Sequence, residues 1–276
     1  MPRKGHLPQN RQSPLVGDMV DIAITPQGEG SVDFIQPRKN SLVRPPLANL
    51  DYMVAVVSTV DPAPNYLTLD KFLATLAFHD IPAMLAITKT DLAPAERLSA
   101  TYSLAGYPVC EVNSQTGQGM KELTQLLSGS FCAFAGNSGV GKSTLLNALD
   151  PSLGLEVGDT SKKLGRGRHT TRHVEMHALA QGFEVADTPG FSSLDLVQLG
   201  DITPETLAHC FPDFALFAPH CKFRDCRHLA EEGCVVKEAA ENGEIAPSRY
   251  QSYLQIYEEI KDVKAWEQKR ESNSAK

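Results

Sequence analysis

The chain has 276 residues, of which 42% are hydrophobic and 21% are charged, a composition too apolar for a disordered protein. Its length predicts roughly two domains, and it contains no apolar run near the ~18 residues that a transmembrane helix needs. The net charge of −7 excludes a uniformly basic nucleic-acid-binding protein but allows a local basic patch.

The first 49 residues predict a lead-in followed by a small β module. Residues 1–14 are polar and proline-rich, and we expect them to be disordered. Apolar and polar residues alternate in Met19–Ile24 and Ser31–Ile35, as they do in half-buried strands, and Asn40–Arg44 is a candidate third strand.

Residues 50–202 alternate short apolar runs with helical stretches. The predicted strands are Met53–Val57, Ala83–Ile87, Val109–Val112, Phe131–Ala135 and Phe183–Ala186. The predicted helices are Leu67–Phe78, Ala95–Leu104 and Met120–Leu127. This alternation indicates an α/β domain with a mostly parallel sheet. Residues 203–276 contain no such strand, and a helical stretch runs from Arg249 to Gln268.

A phosphate-binding loop is the most specific motif in the chain. Residues 136–143 match G-x-x-x-x-G-K-[ST] between a predicted strand and a predicted helix. Backbone N–H groups of such a loop point at phosphate oxygens, Lys142 is expected to reach the β- and γ-phosphates, and Ser143 to ligate Mg²⁺. The predicted phosphate-binding residues are Gly136, Asn137, Ser138, Gly139, Val140, Gly141, Lys142, Ser143 and Thr144.

A second phosphate-site motif follows the last predicted strand. Asp187 begins the sequence Asp-Thr-Pro-Gly, and its carboxylate can hold Mg²⁺ through water while the N–H of Gly190 meets the γ-phosphate. Alone, this sequence is a common turn. Its position at a strand end, after the phosphate loop, favours the magnesium site.

Two strand-end segments predict guanine recognition. One is similar to the N-K-x-D element of GTPases, in which a carboxylate accepts hydrogen bonds from N1–H and N2–H₂ of guanine and a lysine lies across the base. A threonine replaces the asparagine, so one side-chain amide is missing and weaker nucleotide binding is expected. The candidate base-binding residues are Thr88, Lys89, Thr90, Asp91, Asn113 and Ser114. An ordinary strand-end loop is the alternative for either segment.

The order of these motifs is unusual. In ordinary small GTPases the phosphate loop precedes the base motifs, whereas here it follows them. One consistent cyclic shift explains all the positions, so the sequence predicts a circularly permuted GTPase.

With these motifs, the chain resembles the RsgA (YjeQ/YloQ) family, bacterial GTPases that depend on the small ribosomal subunit and act in its maturation. The resemblance runs from Pro14 to about residue 264 and rests on segments 16–20, 42–49, 136–144, 165–171, 187–193 and a Cys/His cluster. It implies an OB-like β-barrel over 1–49, a permuted GTPase domain over 50–202 and a zinc-binding helical domain over 203–276. Family members carry more residues before Val16, so the barrel is expected to be incomplete.

The basic segment from Lys162 to Arg172 is, by position, the first switch. Thr170 or Thr171 is expected to meet Mg²⁺ and the γ-phosphate. Phe191 stands where many GTPases have a water-positioning glutamine, so slow intrinsic hydrolysis is expected. His169 or a group from a partner is the candidate replacement, and a loop histidine without a catalytic part is the alternative.

Three cysteines and one histidine within 14 residues predict a structural zinc site. Cys221, Cys226, His228 and Cys234 supply three thiolates and an imidazole, which suit tetrahedral zinc. His220 competes as a ligand, but adjacent residues rarely both face one metal. The interleaved Lys222, Arg224 and Arg227 suit RNA contact or a solvated surface.

The expected activity is hydrolysis of GTP to GDP and phosphate, slow alone and stimulated by the 30S subunit. The expected cofactors are one structural zinc, and magnesium with GTP. The expected partners are GTP, GDP and the small subunit with its rRNA; no membrane partner is expected, and the protein is expected to be a cytoplasmic monomer. The alternative is an RNA-binding module that uses GTP as an affinity switch with little turnover.

Overall fold

The computed structural model describes residues 13–24, 30–43, 45–155, 175–187, 199 and 202–262, with backbone only for Glu175 and Asp187. Within these ranges no helix is long and apolar enough to cross a membrane.

The N-terminal part consists of two short antiparallel pairs. Strands β1 (Val20–Ile24) and β2 (Gly30–Ile35) form a ribbon, and β3 (Ser41–Leu42) pairs with β4 (Leu47–Ala48). β1 is exposed along its whole length, whereas Leu42 and Leu47 are buried in the core of the next domain. Within the described residues these pairs do not join into a closed barrel.

A six-stranded sheet forms the centre of the molecule. Its strands are β5 (Tyr52–Ser58), β6 (Ala83–Thr88), β7 (Val109–Glu111), β8 (Phe131–Ala135), β9 (Glu175–Ala178) and β10 (Glu184–Asp187). They lie in the order β7-β6-β5-β8-β10-β9, and all pairs are parallel except β9 with β10. The predicted mostly parallel sheet is confirmed. β9 was not predicted.

Helices cover both faces of the sheet, as parallel strands require. They are α1 (Tyr66–Phe78), α2 (Glu96–Leu104), α3 (Met120–Leu127) and α4 (Lys142–Leu149). On one face Phe72, Leu73 and Leu85 belong to one apolar core, and on the other Leu123 and Leu145 belong to a second.

The C-terminal module, residues 202–262, has its own apolar core. Three short 3₁₀ turns lead to α5 (Val235–Glu241) and α6 (Pro247–Ile260). Ala74 of α1 is buried in this core with Phe211 and Ile256, so α1 faces both the sheet and the C-terminal module. The helix predicted over Arg249–Gln268 begins two residues earlier, at Pro247, and ends at Ile260, where Lys261 and Asp262 form a turn; residues 263–268 lie outside the described residues.

Candidate nucleotide-binding site and metal centre

The sequence-predicted nucleotide-binding residues converge at one edge of the sheet. Parallel strands end on the same edge: Ser58 pairs with Thr88 at the ends of β5 and β6, and the end of β8, Ala135, pairs with Ala55 near the end of β5. The loop at Asn113 follows β7 on the same edge. Strands that are far apart in sequence therefore bring the base motifs beside the phosphate loop.

The phosphate loop has the tight backbone that its glycines allow. Gly139 and Gly141 adopt φ values of +84° and +91°. Gly136 is closely packed, because a Cβ there would lie 2.6 Å from the carbonyl oxygen of Val56. α4 begins at Lys142, so the loop leads directly into a helix N-terminus, a favourable place for anions.

Thr88 ties the end of β6 to the phosphate loop. Its hydroxyl donates a 2.5 Å hydrogen bond to the carbonyl oxygen of Val140, and its side chain is buried. Thr88 stands where the N-K-x-D element has an asparagine, whose absence predicted weaker nucleotide binding. Its hydroxyl instead joins the end of β6 to the phosphate loop.

Lys89 connects the base segment to the loop between β5 and α1, residues 59–65. Its Nζ donates to the carbonyl oxygen of Asp61, and its own carbonyl accepts a 2.7 Å bond from the Thr59 hydroxyl. Lys89 holds this place with a φ of +59°. The 59–65 loop was not predicted to belong to the site, since no motif marks it.

The remaining base residues differ in exposure. Asp91 is exposed, and Thr90 is half-buried. Asn113 is buried, and its Oδ1 accepts hydrogen bonds from the backbone N–H groups of Gln115 and Thr116 at 2.9 and 3.1 Å. The Asn113 side chain therefore shapes the loop that includes Ser114.

Of the two predicted magnesium residues, Ser143 lies in the first turn of α4 and Asp187 ends β10. Ala186 pairs with Ala133, so the backbone of Asp187 ends β10 beside the strand that carries the phosphate loop. Lys142 and Ala186 line the same small cavity. The other switch predictions, His169, Thr170, Thr171, Gly190 and Phe191, lie outside the described residues.

The second candidate site is the Cys/His cluster. The four potential ligand atoms of Cys221, Cys226, His228 and Cys234 all lie within 4.8 Å of one another. His228 Nδ1 is 3.6 Å from Cys221 Sγ and 3.5 Å from Cys234 Sγ. Ideal tetrahedral zinc with nitrogen at ~2.1 Å and sulfur at ~2.3 Å separates such atoms by about 3.6 Å. The cluster therefore has the spacing of a tetrahedral metal site.

Backbone contacts hold the cluster in this shape. His228 has a φ of +57°, and the hydroxyls of Tyr250 and Tyr253 donate to the carbonyl oxygens of His228 and Arg227 at 2.8 and 2.6 Å. The Glu231 carboxylate accepts from the N–H groups of Arg227 and Leu229, both at 2.8 Å. Sequence spacing did not reveal these supports, because both tyrosines are on α6.

Burial shifts the pKa values of ligands in the cluster. It raises the pKa of the Cys226 thiol to about 12 and lowers the pKa of His228. A lowered pKa favours the neutral imidazole, the form that binds metal, whereas a thiol of raised pKa forms a thiolate only with a cation beside it. This donor set favours a thiophilic divalent metal.

The basic residues around the cluster are partly neutralised. Arg227 Nη2 lies 2.9 Å from Glu205, and Lys222 Nζ lies 3.0 Å from Glu232. Arg224 is exposed. Two of the three basic residues interleaved with the metal ligands are therefore paired with carboxylates.

A family model and individual relatives assign the chain to the same family. A family model described as RsgA GTPase matches residues 35–197. The small ribosomal subunit biogenesis GTPase RsgA of Shouchella clausii is 44% identical over 267 residues, covering 95% of this chain and 90% of that protein. The protein of the same name from Bacillus anthracis is 43% identical with the same coverage.

Solved structures agree with the sequence match. YjeQ from Thermotoga maritima is 36% identical, with a TM-score of 0.75 over 91% of this chain and 86% of that one. YloQ, described as a circularly permuted GTPase, is 37% identical, with a TM-score of 0.77 over 95% and 85%. With the strands that precede the base motifs, β6 and β7, coming before the phosphate-loop strand β8 in one sheet, the chain belongs to the RsgA family of circularly permuted GTPases.

Proposed function

We propose that the chain binds GTP at the sheet edge described above, hydrolyses it to GDP and phosphate, and assists late maturation of the small ribosomal subunit. The observation that carries the proposal is the convergence of Thr88, Asn113 and the phosphate loop at one edge, in a chain of the RsgA family. The ribosomal part follows the names of relatives that match almost the whole chain.

Each part of the nucleotide has a candidate partner. Asp91 would accept from the guanine edge, with Lys89 across the base and Ser114 near O6. The phosphate loop, Gly136–Thr144, would enclose the phosphates, with Lys142 on the β- and γ-phosphates. Ser143 and Asp187 would hold Mg²⁺, which supplies charge neutralisation when bound. Thr170, Thr171 and Gly190 would meet the γ-phosphate.

The cluster of Cys221, Cys226, His228 and Cys234 would hold one zinc ion. Two ligand-atom distances of 3.5 and 3.6 Å fit a tetrahedron, and four protein ligands leave no open position. The metal would therefore be structural, and its binding free energy would stabilise the C-terminal module.

The three sequence segments would form three functional parts. Residues 1–49 would be an OB-like module, 50–202 the GTPase domain, and 203–276 the zinc-binding domain. OB-like and zinc modules are both common RNA-binding surfaces, so rRNA is the expected ligand of the outer two. With a ribosomal partner the protein would work in the cytoplasm, and we propose that it does so as a monomer.

Phe191 supports a second candidate function. A phenyl ring cannot orient a water molecule by hydrogen bonding, so the protein could use GTP as an affinity switch with little turnover. His169 or a ribosomal group would supply the missing function in the first proposal.

The GTPase rate with and without 30S subunits separates the two functions. Turnover is expected to be slow with GTP alone, unaffected by matched 50S subunits, and about tenfold faster or more with 30S subunits. ATP should not be hydrolysed at a comparable rate. GTP binding without stimulated turnover would favour the affinity switch, and absence of guanine nucleotide binding would contradict both functions.

A further inference from the structure

A cluster of buried charges lies where α1 meets the C-terminal module. Arg249 of α6 is 1% exposed, and its Nη1 lies 2.7 Å from Asp70 Oδ1 of α1. Its Nε and Nη2 donate to the two carboxylate oxygens of Asp213 at 3.1 and 2.7 Å. One guanidinium thus joins a helix of the GTPase domain to a turn and a helix of the C-terminal module.

The surroundings fix the orientation of the guanidinium. Its Cζ lies 4.6 Å from the centre of the Phe211 ring, and the Tyr102 hydroxyl donates to the same Asp70 oxygen at 3.0 Å. Both carboxylates are buried. A planar fork with five donors matches this arrangement, whereas a lysine ammonium would make fewer of these contacts. The cluster therefore specifies one register between α1 and α6.

The loop that precedes α1 contacts the nucleotide site, and it joins the same N-terminal half of the helix that carries Asp70. The 59–65 loop precedes α1 and contacts Lys89 through Thr59 and Asp61. A Cβ placed on Gly139 of the phosphate loop would lie 3.6 Å from Pro62 Cδ. Asn65 then caps α1 by accepting from the N–H of Thr68 at 3.0 Å. At 1.5 Å per residue, Asp70 lies only about 6 Å along the axis from the first residue of α1.

We propose that Arg249 is a positioning residue for nucleotide binding: it holds α1, and through α1 the 59–65 loop, against the base segment and the phosphate loop. The proposal rests on the proposed function and connects the nucleotide site to the C-terminal module through α1. This connection ends at the base and at the phosphate loop, and it does not involve the switch segments. GDP and GTP therefore both act through it.

The chain offers a matched control for this test. Lys71 and Glu259 form an exposed ion pair between the same two helices, with Nζ 2.6 Å from the carboxylate. Arg249→Lys keeps the charge but loses the fork, whereas Glu259→Gln breaks a surface contact between α1 and α6. Both variants are compared with the wild-type full-length protein for zinc content, affinity for a fluorescent GDP analogue, and KM and kcat for GTP.

We expect Arg249→Lys to weaken GDP binding by about fivefold or more, the lower end of typical coupling between sites. The variant should raise KM for GTP and leave kcat almost unchanged, because the contacts contribute to ground-state binding. Glu259→Gln should change GDP affinity by less than about twofold. A folded, zinc-loaded Arg249→Lys protein with wild-type GDP affinity would overturn the proposal, as would an equal loss in both variants.

Hydrogen exchange of the wild-type protein provides a second test that needs no variant. Saturating GDP should slow amide exchange about fivefold or more in the 59–65 loop, in α1 and in the first turns of α6. Protection confined to residues 136–144 would contradict the proposal while leaving the proposed function intact. Failure of the wild-type protein to bind GDP would instead contradict the proposed function.

Discussion

At the scale of single residues, the nucleotide site depends on polar contacts between distant parts of the chain. The Thr88 hydroxyl reaches a carbonyl 52 positions away and holds the phosphate loop to β6. Because the bond is buried, removing the hydroxyl leaves the Val140 carbonyl without this hydrogen bond, which costs about 1–3 kcal/mol of stability.

Thr88→Val removes this hydroxyl with almost no change in volume. The phosphate loop then has to be ordered by the nucleotide itself, and we expect GDP affinity to fall by about 5- to 30-fold, equivalent to about 1–2 kcal/mol. Titration with a fluorescent GDP analogue measures it. Thr88→Ser keeps the hydroxyl and should stay within about twofold of wild type. Equal affinities in Thr88→Val and wild type would show that the bond does not shape the site.

Asp91 is the residue that we propose recognises the guanine base. Asp91→Asn should weaken GTP binding by about 100-fold or more. The two guanine N–H donors would then face one acceptor oxygen and one NH₂ donor in place of two acceptor oxygens. Xanthine nucleotides should bind the variant better than GTP does, because their extra carbonyl accepts from the amide. Competition between the two nucleotides measures the preference, and an unchanged GTP affinity would refute the assignment of Asp91.

At the scale of elements, burial explains which strands could be predicted from the sequence. β5, β6 and β8 are covered on both faces and read as continuous apolar runs, so their positions were predictable within a residue or two. β9 was missed because it is a short antiparallel edge strand, Glu175–Ala178, with a mixed sequence. β4, Leu47–Ala48, is only two residues long and gives no periodic signal.

The same limits apply to the candidate sites. The phosphate loop and the Cys/His cluster are local in sequence, so spacing alone predicted their members. The contacts of Lys89 with the 59–65 loop join positions about 30 residues apart, and no sequence pattern predicts them. Arg249 could have been noticed, because it shares the buried face of α6 with Tyr253, Ile256 and Ile260.

Loss of the metal is expected to destabilise the C-terminal module and to leave the nucleotide site unaffected. Cys226→Ser removes one of four ligands, and we expect the zinc content to fall from about one per chain to near zero. The C-terminal module should then be cleaved by protease faster, while GDP remains bound. Elemental analysis and limited proteolysis measure both effects. Cys210, a buried cysteine outside the cluster, supplies the control Cys210→Ala, which should keep its zinc. Correctly folded wild-type protein without zinc would refute the site.

At the scale of the whole molecule, circular permutation changes which parts are close in sequence. The strand β10, which ends at Asp187, is followed by the C-terminal module without the base motifs intervening. In an unpermuted GTPase, further strands and both base motifs would separate these parts. A γ-phosphate that orders residues 187–190 could therefore act on the C-terminal module through a short connection.

Binding of the protein to 30S subunits in each nucleotide state tests this central claim most directly. Sedimentation at matched salt should show tighter binding with a non-hydrolysable GTP analogue than with GDP, by about 5- to 150-fold. By thermodynamic reciprocity, the subunit must tighten the analogue relative to GDP by the same factor. Equal binding of the GDP and analogue forms to 30S subunits would contradict a nucleotide-controlled cycle on the small subunit.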